Sequence, residues 1–167
     1  LVRLNSGNMV DDNLRLSLTY AHSQNDGYVD NLLTPGDNRD PGANNVDSFR
    51  VAFEADIGET GSIYYSFDYS DFVTNAAAFQ TTIANPTVTG FLANATTTPG
   101  CNLNIVTTRQ DALCLDDDLP NENEIYGHVF KMENDFGGVT LRSTTGYRSW
   151  RSKQPFTDLD GFGAITA

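Results

Sequence analysis

The run Asn134-Asp135-Phe136-Gly137-Gly138-Val139-Thr140-Leu141-Arg142-Ser143-Thr144-Thr145-Gly146-Tyr147-Arg148-Ser149-Trp150 decides the fold class. Asn, Asp and Gly accept the backbone angles of a tight turn, so Asn134 to Gly138 reads as a turn that feeds a long strand. Successive side chains of a strand point to opposite sides. Val139, Leu141, Ser143, Thr145 and Tyr147 therefore share one face, and Thr140, Arg142, Thr144, Gly146 and Arg148 share the other. The first face is apolar or small and ends in an aromatic ring. The second is polar and carries two arginines. In a soluble sandwich the apolar side would meet a core; in a membrane barrel it would meet lipid, with the polar side turned to the lumen.

The same alternation recurs along the chain. In Asn13 to Asn25, Leu14, Leu16, Leu18 and Tyr20 oppose Arg15, Ser17, Thr19 and Ala21. His22 extends the apolar face at its polar end, where a lone histidine is expected as an interfacial or packed ring rather than a ligand. In Ser48 to Ile57, Phe49, Val51, Phe53, Ala55 and Ile57 oppose Arg50, Ala52, Glu54 and Asp56. The turn Gly58-Glu59-Thr60-Gly61 leads into Ser62 to Phe72, where Ile63, Tyr65, Phe67 and Tyr69 oppose Tyr64, Ser66, Asp68 and Ser70. These two segments predict a hairpin. Glu124 to Asn134 places Tyr126, His128, Phe130 and Met132 on one face and Ile125, Gly127, Val129, Lys131 and Glu133 on the other. Leu1 to Gly7 reads as the tail of a further strand. The expected fold is all-β: an antiparallel up-and-down meander of about six long strands.

The connections alternate in length. Those at 8–12, 58–61 and 135–138 are short; those at 26–47, 73–123 and from 154 onward are long. Short turns at one end and long loops at the other are how outer-membrane barrels are built. Strands of about 10 residues or more suit a tilted crossing of the hydrocarbon layer, whereas sandwich strands are usually shorter. Tyr and Phe near the strand ends suit interfacial girdles. Within the long loops, Ala76 to Ala84 predicts a short helix. The turn-forming stretch Thr34 to Gly42 and the acidic run Asp116-Asp117-Asp118 are expected to be solvated, because neither has calcium-loop spacing.

Ten Lys and Arg stand against 22 Asp and Glu, a net charge of -12. Nucleic acid and anionic membrane surfaces are disfavoured as partners, since phosphate contact needs a basic patch. Excess acid favours solubility. No apolar run is long enough for a transmembrane helix, and no signal peptide is visible. Leu1 to Leu4 already reads as mid-strand, so the chain is expected to be an internal piece of a longer protein. Cys101 and Cys114 sit in one polar segment. A loop disulfide formed in an oxidising compartment is the leading reading, ahead of free thiols and a metal site. Such a bridge would restrain the unfolded loop by about 3 kcal/mol.

The segment Asp135 to Trp150 resembles the Asp-Phe-Gly … Thr-Leu … Thr-Gly-Tyr-Arg … Trp hairpin of TonB-dependent outer-membrane receptors. Thr157 to Gly161 looks like the acidic stretch that often follows it. Asn25 to Asn31 and Asn44 to Arg50 are similar to the loop and strand entry of an earlier hairpin in that family. The resemblance implies a receptor of the Gram-negative outer membrane with a barrel of about 22 strands, filled by an N-terminal plug and driven by TonB. Residues 1–167 would then be part of that barrel, with lipid, the plug, the remaining strands and TonB as partners of the full receptor. Its cargo would be a scarce nutrient such as an iron–siderophore complex. No cofactor is implied.

No catalytic role is expected, because neither histidine neighbours a nucleophile in a catalytic pattern. The residues expected to face the lumen are Arg15, Arg50, Glu54, Asp68, Arg142 and Arg148, as solvators of the interior, plug contacts or substrate contacts. Recognition would fall to the long loops, with Phe79, Phe91 and Arg109 as candidate ligand contacts. The competing expectation is a secreted, soluble all-β module that binds a ligand such as a carbohydrate. A smaller porin-like barrel and an enzyme rank below both.

Overall fold

A computed structural model describes residues 1–10, 12–33, 40–87, 89–90, 107–115 and 120–155. Its strands are β1 (Val2–Met9), β2 (Leu14–Asn25), β3 (Asp30–Asn31), β4 (Asn44–Ile57), β5 (Gly61–Thr74), β6 (Ala112–Leu113), β7 (Asn121–Asp135) and β8 (Thr140–Lys153). Six of them form one antiparallel sheet in the order β1-β2-β4-β5-β7-β8. This is the all-β meander that alternation predicts, each strand beside the one before it in the chain. Four of the six are 14 or 15 residues long.

The strands run past the expected bounds at their polar ends, because Asn44-Asn45 and Asn121-Glu122-Asn123 carry no alternation to mark them. Arg3 pairs with Thr19 and Leu4 with Leu18, which puts Val2, Leu4, Leu18 and Tyr20 on one face. The register then shifts between Asn5 and Asn8. The hydroxyl oxygen of Ser6 accepts the Leu16 amide at 2.9 Å, supplying the bond that the shifted backbone does not. The short connections are built as their sequences suggest. Gly58 (φ 64°) and Gly137 (φ 81°) take left-handed angles, and the Asp135 carboxylate accepts the Gly137 amide at 2.8 Å.

Contacts divide the chain into two units. The first, Leu1–Ser23, Val46–Phe72 and Asn123–Ser152, holds most of the six-stranded sheet. None of its apolar side chains is among the buried hydrophobics; among its described residues the one fully buried side chain is Ser66. Its edge strands are exposed almost throughout.

The second unit, Gln24–Asn45, Val73–Glu122 and Lys153–Ala167, contains all the buried hydrophobics found among the described residues: Val29, Ala43, Cys114 and Leu115. Here β3 pairs with β6 in parallel, Asp30 to Ala112 and Asn31 to Leu113, a pairing between distant two-residue pieces that no periodicity announces. The helix expected over Ala76 to Ala84 does not form; that segment has no regular structure. Its backbone and side chains are used otherwise. The Ala76 carbonyl accepts the Gly42 amide at 3.1 Å. Gln80 donates to the Thr108 carbonyl and accepts the Gln110 amide. Helical residues start instead at Pro86, where the Asn85 side chain accepts the Thr87 amide at 2.7 Å. A capping Asn followed by Pro in the first turn is a stronger start signal than a run of alanines. Among the described residues no helix is long and apolar enough to cross a membrane.

Candidate functional site

In the first unit, residues at even and odd positions of each strand separate into two unlike faces. On the polar face, the lumen-facing candidates are drawn into pairs. Arg15 donates to Glu54 at 3.2 Å and to Asp56 at 3.1 Å. Arg142 grips both carboxylate oxygens of Glu133, at 2.9 and 3.1 Å, in the two-pronged geometry that suits guanidinium and carboxylate. Arg148 reaches Asp68 at 2.6 Å, although β7 lies between their strands in the sheet. Gly127 on β7 makes that reach possible. A Cβ built there would stand 3.2 Å from Nε and 3.4 Å from Nη2 of Arg148. The missing side chain is thus the channel through which the guanidinium crosses.

Arg50 is held differently. It donates to the Tyr64 hydroxyl at 2.8 Å and, at 3.4 Å, to the hydroxyl of buried Ser66. Lys131 stands over the Tyr64 ring, 5.5 Å from its centre. Trp150 donates from its indole nitrogen to Asn123 at 3.2 Å, on the same side of the sheet as Arg148. Beside Arg15 and Arg50 lies an open concavity of about 530 Å³, to which Arg3, Asn5, Glu54 and Tyr64 also contribute. Asp56, Glu133, Tyr64 and Gly127 all complete this arrangement. Alternation assigns each of them to the right face, but their partnerships depend on strand register, which no residue pattern states.

The other face is apolar and aromatic. Phe49 packs against Phe67 and Tyr69, with ring centres 5.6 and 5.5 Å away. Phe53 meets Tyr65 at 5.4 Å, and His128 lies 4.9 Å from Phe67. The Tyr65 hydroxyl and His128 Nδ1 are 2.7 Å apart. Tyr126 and Tyr147 continue the series across β7 and β8. Leu16, Leu18, Val51, Phe130 and Leu141 stand on this face with 40–48% of their surface exposed. His22 is not a packed ring: its Nδ1 lies 3.0 Å from Asp47, which also accepts the Tyr20 hydroxyl at 2.6 Å.

In the second unit, Asn31 is the clasp. It is 1% exposed. Its amide nitrogen donates to the Leu115 carbonyl at 3.0 Å, and its oxygen accepts the amides of Leu33 and Leu115, both at 3.1 Å. One side chain therefore replaces backbone partners on two segments. Arg109 lies over the Tyr28 ring, 4.9 Å from its centre, and reaches the Tyr28 carbonyl. Tyr28 in turn covers Gly42, where any Cβ would overlap the ring. Arg109 thus braces this unit, and Phe79 is 48% exposed. Phe91, Cys101, the stretch 34–39, Asp116 to Asp118 and Thr157 to Gly161 lie outside the described residues. Cys114, the other half of the expected bridge, is buried. Among the described residues no cluster of His, Cys, Asp and Glu has metal-binding geometry.

No family model, curated protein or solved structure matches this chain. The site must therefore be interpreted from its own chemistry. What it offers is a wall: one side suited to apolar surroundings, the other a lattice of charged and hydroxyl groups.

Proposed function

We propose that this chain is part of the β-barrel of a TonB-dependent receptor in a Gram-negative outer membrane, serving uptake of a scarce nutrient such as an iron–siderophore complex. One observation carries the reading. The six-stranded sheet has an apolar, aromatic face on which Leu16, Leu18, Val51, Phe130 and Leu141 remain exposed, opposite a face of ion pairs. A soluble sheet of this size buries its apolar side against a second layer. A barrel wall leaves that side to lipid and turns the polar side inward. The strand lengths and the alternation of short and long connections support the same reading, as does the Thr144-Thr145-Gly146-Tyr147-Arg148 hairpin of the family it resembles. In this reading the paired arginines solvate the interior or meet the plug, and ligand capture falls to the loops.

The test is far-UV circular dichroism of the chain in buffer and then in detergent micelles or lipid. Strand signal that appears only with detergent or lipid is the expected result. A soluble monomer with a cooperative melt in plain buffer overturns the proposal in favour of a secreted ligand-binding β-module.

A further inference from the structure

We infer that the concavity on the polar face between β1, β2 and β4 is a binding site for a small oxyanion ligand, one bearing carboxylate or phosphate groups, with Arg3 and Arg50 as its anchors. Three arginines and one glutamate line this space of about 530 Å³. Arg15 is already engaged by Glu54 and Asp56, so the glutamate is answered. Arg3 and Arg50 have no carboxylate partner among the described residues; Arg50 is held only by the neutral hydroxyls of Tyr64 and Ser66. In a chain of net charge -12, carboxylates are abundant, yet the sheet supplies none to these two guanidiniums. The Arg50 bonds to Tyr64 and Ser66 fix the side chain and leave further donors of its planar fork for an acceptor. Asn5, Ser17 and Thr19 add neutral hydrogen-bonding groups to the same wall. The volume falls in the range of small-molecule sites. Charge complementarity then selects the occupant, since bidentate arginine contacts are strongest with carboxylate and phosphate.

The inference rests on the geometry of one face, and on the barrel reading only in that this face then bounds a lumen. Its test is titration of the chain with citrate and with inorganic phosphate by calorimetry at low salt, in whichever medium circular dichroism shows the strands to form. The expected result is saturable binding of at least one probe. Affinity should fall about tenfold or more in Arg50→Gln and in Arg3→Gln and stay unchanged in Arg151→Gln, a change of equal charge at a residue that pairs with Glu124 outside the concavity. Arg3 lies on an exposed edge strand, so its replacement is readable even where Arg50→Gln disturbs folding. Absence of binding by both probes overturns the inference, as does equal weakening in Arg151→Gln. Failure here leaves the detergent dependence of folding untouched, so the two proposals fail separately.

Discussion

At the level of single residues, one side chain and one missing side chain stand out. Gly127 is the missing one. Placing valine there would crowd Arg148 and sever its contact with Asp68. Exposed pairs of this kind contribute about 0.2–1 kcal/mol, so the expected loss is small and is best read in a double-mutant cycle. Gly127→Val and Asp68→Asn should be less than additive in urea melts, because either change removes the same contact. Full additivity would mean that the guanidinium does not depend on the glycine gap. Asn31 carries more weight. Replacing it with alanine leaves the Leu33 and Leu115 amides and the Leu115 carbonyl without their partner in a buried setting. The expected cost is about 1–3 kcal/mol, seen as faster hydrogen exchange at the Leu115 amide. Unchanged exchange would show that β3 and β6 hold together without the clasp.

At the level of elements, the two faces of β7 make the sharpest comparison, since Val129 and Phe130 are neighbours in sequence and point to opposite sides. On the barrel reading, Phe130→Arg places a cation in lipid and should cost about 2–4 kcal/mol of folding free energy in vesicles. Val129→Arg should cost much less. Equal costs would contradict the lipid assignment of the aromatic face. The elements also show where sequence suffices. Tyr65, Phe67 and Tyr69 against Ser66 and Asp68 declare β5 and its faces outright, and Gly58 to Gly61 declares its turn. Asn44 and Asn121 do not declare the strand starts they occupy, because a polar strand end and a polar loop look alike. The β3–β6 pairing escapes for a different reason: two-residue strands are too short to show a period. Ala76 to Ala84 misled because propensity is a weak cue, and the tertiary bonds of Asn75, Ala76 and Gln80 override it. The candidate site was legible as a set of faces and illegible as a set of pairs.

At the level of the whole molecule, the division of labour between the units sets the behaviour to expect in solution. The sheet unit buries no apolar side chain among those described, while the other unit owns the buried core. In water the exposed aromatic face and the open edge strands β1 and β8 should drive association, despite the net charge of -12. Light scattering in buffer with and without detergent measures this, and a non-scattering solution without detergent would contradict it. A Cys101–Cys114 bridge, proposed from the sequence, predicts that iodoacetamide leaves the mass of the unreduced, denatured chain unchanged and adds two adducts after reduction. Trp150 offers one more handle. It is the sole tryptophan, it shares a side with Arg148, and its indole is bonded to Asn123. The chain thus carries a single indole, which can be excited apart from its tyrosines, pointing away from the aromatic face. Once the strands form in a bilayer, bromine-labelled acyl chains should barely dim its emission, and acrylamide in the aqueous phase should quench it efficiently.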